Sequence, residues 1–389
     1  MPQNVKRDAY FWTKAFQASC VNFFLGAFGP TQPLLREDQG TSLTIAGLHG
    51  TAMGVASIIA GLANPHIVHR FGRSRASWIG LLIFSAGLIA FVVSPPIQIT
   101  IFAALIAGFG ISIVINNFVT SLSAHYGKHA AFVVTRANAI GSVSYVIGTL
   151  TVGIIASKFP DFWRIGILAV LPFALYLFFF RRDSDEEVHV PSEDGPQSGK
   201  LSRAFWISWF GFFCSISSEF AISFWAAALI QNRTDATPAI ATLAVVSLGS
   251  GMALGRWYGP VLLNRWETDI QLKIYIGTQF VGFAVLWFSH NLVLSFFSLL
   301  VTGIGIASQF TLSSIRLIGL SDKRPDLSIG KSSYAAGAAI GLAPFVLGIL
   351  GDNVGISRAY LMVPILIACS YAVIQFIPSH VEPENELQK

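Results

Sequence analysis

One acidic residue, Glu219, lies deep within an apolar stretch, some fourteen residues past its basic N-terminal end. An ionised, unpaired carboxylate costs about 2.5–3.5 kcal/mol at the centre of a membrane helix, so its presence there points to function. A carboxyl group set among apolar atoms is suited to taking up and releasing protons. The plainer alternative is a structural glutamate, protonated or ion-paired. Four segments carry polar side chains at helical spacing. Ser215, Glu219 and Ser223 are four apart and share one face, as do Ser112, Asn116 and Thr120. Gly305, Gln309 and Ser313 align and lead toward Arg316, and Asn22 aligns with Gly26. Such stripes either line a shared cavity or join neighbouring helices by hydrogen bonds worth about 0.6 kcal/mol each.

Other residues invite weaker readings. Arg136 falls just inside an apolar stretch, where it either meets a solute, closes a gate or reaches back to the interface. Lys331 takes the matching place in the second half of the chain. His49 has a side chain that titrates in a useful range, but a lone histidine is more often a packed helix residue. Trp225 and Tyr334 suit a cavity wall, core packing or a membrane interface equally. The three cysteines, Cys20, Cys214 and Cys369, all lie in apolar segments and read as packing residues rather than a disulfide framework. No phosphate-binding loop, paired-histidine metal motif or Cys-X-X-Cys occurs, so neither ATP-driven work nor a cofactor is expected. No Ser/His/Asp constellation can be proposed, and an enzyme is not expected.

The elements that must hold these residues are legible from composition. Of 389 residues, 53% are hydrophobic and only 12% charged, and the mean hydropathy is +0.62. Soluble domains carry about 25% charged residues. Apolar runs of membrane-spanning length occur at about 12–35, 43–68, 76–94, 97–120, 135–157, 163–180, 203–230, 238–263, 272–289, 292–316, 332–351 and 358–377. All are expected to be helices, because lipid offers no partner to an open backbone amide. The start, MPQNVKRDAYFWTK, has no cleavage-site pattern, and the run after it reads as the first span. The pI near 9.2 does not imply nucleic acid, because the basic residues are scattered through short gaps. With both ends inside, 18 of the 25 Lys and Arg residues fall in cytoplasmic gaps, Arg256 and Arg316 counted among them. That alternation requires an even number of spans, and twelve fits. Residues 181–201, rich in acidic residues with Pro, Gly and Ser, read as a flexible linker.

The halves resemble each other at an offset of 195 residues. Asn64-Pro65-His66-Ile67-Val68-His69-Arg70-Phe71 lies over Gly259-Pro260-Val261-Leu262-Leu263-Asn264-Arg265-Trp266. Gly54 falls on Gly249, Gly108 and Gly110 on Gly303 and Gly305, and Gly153 on Gly348. The expected architecture is an all-α integral membrane protein with two six-helix bundles, 1–180 and 202–380, joined by the linker and followed by a tail at 381–389. Parallel repeats of this kind are a transporter arrangement.

The segment from Gly61 to Arg75 carries Arg70-Phe71-Gly72-Arg73 between the second and third spans. It resembles the loop signature of the major facilitator superfamily, with His69 where the family usually has Asp and Pro65 where it often has Gly. Glu219 with Trp225, Asn116-Asn117, and Arg136-Ala137-Asn138 are similar to the fucose-permease-like branch. Asn22 and Asn116 or Asn117 stand where relatives in that branch carry acidic residues. The glycine- and proline-rich fifth span of drug–proton antiporters is missing. The resemblance implies a secondary active transporter of the cytoplasmic membrane, both ends cytoplasmic, working as a monomer by alternating access. Its partners would be a small polar or amphipathic solute, protons and the lipid bilayer. Glu219 would couple protons. Asn22, Asn116, Asn117, Arg136, Asn138, Ser223, Trp225, Gln309 and Tyr334 would bind solute, and His69, Arg70, Arg73, Arg265 and Lys331 would gate. Two other readings stay open: a proton-antiport exporter of drugs or metabolites, and a non-transporting membrane sensor or lipid flippase.

Overall fold

A computed structural model describes residues 7–29, 31–93, 96–126, 130–179, 199–263, 265–321 and 324–377. Among them there are helices and no strands. The expected linker, apart from its last three residues, and the tail lie outside the described residues. The main helices are α1 (Ala9–Phe28), α2 and α3 (the limbs 43–71 and 73–93 of Leu43–Val93), α4 (Ile97–Tyr126), α5 (Ala130–Lys158) and α6 (Pro160–Phe179). The second half repeats them as α7 (Arg203–Thr234), α8 (Pro238–Leu262), α9 (Thr268–Phe288), α10 (Leu292–Gly319), α11 (Pro325–Val354) and α12 (Ile356–Phe376). Among the described residues, eleven helices are long and apolar enough to cross a bilayer. α1 is not among them; it is more polar and buries Lys14, Gln17 and Ser19 within the fold.

The expected first span of 12–35 proves to be two helices. α1 ends at Phe28, and a separate short helix, Gln32–Gln39, begins with Pro33 in its first turn and stops at a left-handed Gly40. Between α2 and α3 the chain reverses at Gly72, with φ 77° and ψ 161°, a conformation that favours glycine. We call this end of the molecule the turn end.

The 195-residue repeat is a repeat of helix crossings. In the first half a Cβ on Gly87 would sit 2.4 Å from the Ala107 nitrogen. In the second half a Cβ on Gly282 would sit 2.5 Å from the Thr302 nitrogen. The offset places Gly87 on Gly282 and Ala107 on Thr302. Likewise Gly110 packs on Phe84, and Gly305 on Gln279, the position that matches Phe84. Both halves therefore use small residues to bring backbones together, as membrane bundles do.

The halves meet mainly along α2–α11 and α5–α8. Gly54 of α2 faces Gly337 and Gly341 of α11, and its repeat partner Gly249 of α8 faces Tyr145 of α5. At the end away from the turn, Asp352 of α11 caps α2 across the interface. It accepts from the amides of Leu43 and Thr44 at 3.1 and 2.8 Å and from the Thr44 hydroxyl at 2.5 Å.

Candidate functional site

A small cavity lies between the halves. Its walls are Asn22, Leu25, Phe28 and Gly29 of α1, Met53 of α2, Tyr145 of α5, Glu219, Phe220, Ser223 and Phe224 of α7, Met252 and Arg256 of α8, and Ile340 of α11. The repeat relates several of these residues. Leu25 and Phe220, Phe28 and Ser223, Gly29 and Phe224, and Tyr145 and Ile340 each differ by 195 positions. The cavity thus sits where the pseudo-twofold must pass. Its volume is about 90 Å³, well below the roughly 300–1,000 Å³ of a ligand pocket. A second hollow of about 540 Å³, lined by Arg36, Gln231, Asn232 and Asp235 among others, opens at the end capped by Asp352.

Glu219 and Arg256 bring opposite charge to the central cavity. Among the described residues Glu219 makes no ion pair or hydrogen bond. The guanidinium of Arg256 is held from two sides. Its Nε donates to the Ala307 carbonyl of α10 at 2.8 Å, and a terminal nitrogen donates to the Ser142 hydroxyl of α5 at 2.6 Å. Asn22 donates to the Ala18 carbonyl of its own helix at 2.8 Å, which leaves its oxygen for the cavity. The aromatic faces of Phe28, Phe220, Phe224 and Tyr145 complete an amphipathic wall.

Of the residues singled out from sequence, the structure gathers Asn22, Glu219 and Ser223 at this cavity. The others lie elsewhere. Gln309 is buried in the second half, where Ser215 donates to its Oε1 at 2.5 Å and its amide donates to Gln279 at 2.7 Å. Gln279 in turn donates to Ser218 at 2.9 Å, closing a network across α7, α9 and α10. Asn117 is buried and donates to Asn64 at 2.7 Å, joining α4 to α2. Asn116 accepts from Ser333 of α11 at 3.5 Å. Trp225 is fully buried, its indole donating to the Pro344 carbonyl at 2.9 Å. Asn138 lies on α5 one turn before Ser142, whose hydroxyl donates to its carbonyl. Arg136 lies over the Trp257 ring at 4.1 Å, and Lys331 over Tyr334 at 5.1 Å. His69, Arg70, Arg73 and Arg265 are exposed at the turn end. His49 is packed, bonded to the Ala46 carbonyl at 3.0 Å and the Thr100 hydroxyl at 2.9 Å.

Two basic residues expected in loops are inside helices. Arg256 lies within α8, six residues before its end, and faces the cavity. Arg316 is buried in α10 and pairs with Asp269 at 3.0 Å. Counting Lys and Arg by position along the chain cannot tell an interfacial cation from one turned inward. Tyr145 gives no signal in sequence beyond being an aromatic in a span.

A family model described as Major Facilitator Superfamily matches residues 15–325. No curated protein sequence matches the chain. Two solved structures match nearly its whole length. A mutant of the nucleoside transporter NupG superposes with a TM-score of 0.73 at 13% identity, covering 96% of this chain and 100% of that one. A mutant of the E. coli fucose:proton symporter FucP superposes with a TM-score of 0.64 at 16% identity, covering 95% of this chain and 99% of that one.

Proposed function

The chain belongs to the Major Facilitator Superfamily, and from that premise we propose that it carries a small polar solute across a cell membrane by alternating access, coupled to protons at Glu219. The observation that carries this reading is the position of Glu219, unpaired in the cavity between the halves. A carboxyl group there trades a proton without first breaking an ion pair. Asn22, Ser223 and Tyr145 offer hydrogen bonds, and Phe28, Phe220 and Phe224 offer flat apolar faces. Sugars and nucleosides present that combination of hydroxyl edge and flat face, and the similarity to a nucleoside transporter and a fucose:proton symporter agrees with that solute class. The present cavity is too small for such a solute, so loading requires the halves to part. The bias of Lys and Arg supports cytoplasmic chain ends, and the proposal takes the protein to work as a monomer in the cytoplasmic membrane of its cell.

The test is uptake of radiolabelled sugars and nucleosides into proteoliposomes under an imposed pH gradient. An inward proton gradient accelerates uptake of the transported solute. Glu219→Gln loses the gradient response, with at least about a tenfold lower driven rate, equivalent to 1.4 kcal/mol, while solute exchange at equal pH persists. Normal transport by Glu219→Gln with an intact gradient response would remove Glu219 from the coupling step.

A further inference from the structure

Two arginines cross the gap between the halves at neighbouring points of one helix pair. Arg136 of α5 stacks on Trp257 of α8, and Arg256 of α8 donates to Ser142 of α5. Each half thus reaches into the other with one guanidinium. They differ in what lies behind them. Arg256, alone of the two, also lines the central cavity, where it faces Glu219 without touching it. Reaching the Glu219 carboxylate would require the guanidinium to leave its present place, and that place is fixed by the Ser142 and Ala307 bonds. As now held, at Nε by Ala307 and at one terminal nitrogen by Ser142, the guanidinium makes no ion pair with Glu219, and shifting the group toward the carboxylate draws it off the Ser142 hydroxyl.

We propose that Arg256 is a positioning residue through which the charge in the cavity controls the α5–α8 contact. With Glu219 neutral, Arg256 stays on Ser142 and the crossing is held. With Glu219 ionised, or with an acceptor group of the solute in the cavity, the guanidinium is drawn inward. Its bond to Ser142 is lost, and α5 and α8 are freed to separate. The inference rests on the reading of Glu219 as a protonation site. The charged and titratable groups around Arg256 are Glu219 on α7, Tyr145 and Arg136 on α5, and Tyr275 on α9, which bonds to the neighbouring Gly255 carbonyl. α10 presents the Ala307 carbonyl. Glu219 is the one carboxylic acid in the set, and ordinary tyrosines and arginines keep their charge below about pH 9.

The experiment uses full-length protein in lipid nanodiscs, with Cys20, Cys214 and Cys369 replaced by alanine and no solute added. Nitroxide labels go on Val143→Cys of α5 and Leu262→Cys of α8, both exposed positions. Electron-spin distances are measured between pH 5 and pH 9. The parent is expected to shift to longer distances as pH rises. Ser142→Ala shows the long distance already at pH 5 and no further response, and Ser142→Thr, which keeps the hydroxyl, restores the parent behaviour. Glu219→Gln stays at the short distance throughout. Parent-like distances and pH response in Ser142→Ala, with Glu219→Gln flat, would overturn the role of Arg256 alone. A full pH response in Glu219→Gln would overturn the protonation reading as well.

Discussion

The first and second halves share their backbone crossings and differ in what fills them. Gly87 and Gly282 make the same close contact, as do Gly110 and Gly305. The polar network of the second half, Ser215, Ser218, Gln279 and Gln309, has the counterparts Cys20, Phe23, Phe84 and Val114 in the first. All four counterparts are buried and apolar. One scaffold therefore holds an oily core on one side and a connected hydrogen-bond network on the other. The network occupies α7 at Ser215 and Ser218, directly before Glu219, so its bonds fix the register of the segment that carries the carboxylate. The corresponding stretch of α1 presents Phe24 at that place, packed against Phe28, Phe84 and Phe91. The polar network and the carboxylate belong to one copy of the scaffold, while the glycine crossings are common to both.

That comparison can be strained in three ways, in order of expected effect. Gly87→Val and Gly282→Val should each cost about 3 kcal/mol or more, because the new atoms meet backbone that cannot move aside. Equal losses of folded protein in both, read by size-exclusion yield and thermal melting, would support equivalent crossings; a tolerated Gly282→Val would break the equivalence. Gln279→Leu should destabilise by about 1–3 kcal/mol, since Gln309 and Ser218 lose a partner. Phe84→Leu, at the matched position, leaves no polar group stranded and should cost less, mainly through the space it leaves. Denaturant melts of the two variants side by side decide this.

The smallest effect concerns the helix starts. Asp8 caps α1 through the Phe11 amide at 2.9 Å and also accepts from Tyr126 and His125 of α4, each at 2.8 Å. Its counterpart on α7, Ser202, caps only its own helix through Phe205. Partial burial pushes the Asp8 carboxyl up, but these hydrogen bonds outweigh it and hold it below its ordinary value. A lowered folded-state value stabilises above the ordinary carboxylate range and is lost as pH falls through the lowered value. Asp8→Ala should therefore cost about 1 kcal/mol at pH 7, and the gap to the parent melting temperature should close on acidification. Ser202→Ala should cost a similar or smaller amount with no such pH dependence.

Glu219 is legible in the sequence because a lone carboxylate in a long apolar run is costly enough to stand out against its surroundings. The spans and the repeat are legible for a like reason, since membrane thickness and matched glycines mark the sequence, whereas the crossings those glycines make come from the structure. The polar stripes are only half informative. Spacing assigns Asn116, Gln309 and Glu219 to faces of their helices, but not what each face meets. Glu219 meets the cavity, whereas Gln309 meets Gln279, which comes from a different helix at a sequence separation of 30. Sequence position misplaces Arg256, because nearness to a helix end is not the same as nearness to a membrane surface. The division of the first span is equally hidden, because Pro33, which has no backbone N–H to continue the preceding helix, opens a new one without interrupting the hydrophobicity.

The crossing of Gly54 with Gly337 and Gly341 has a mechanical meaning. Helices normally lock together because side-chain ridges of one settle into grooves of the other. At this crossing backbone meets backbone, flanked by the Ile58 side chain on Gly337 and by the Thr51 hydroxyl, which donates to the Gly341 carbonyl at 2.9 Å. The α2–α11 seam at this level is thus fastened twice, by close backbone contact and by a side-chain hydrogen bond, and any side chain at Gly54 would wedge the two halves apart there.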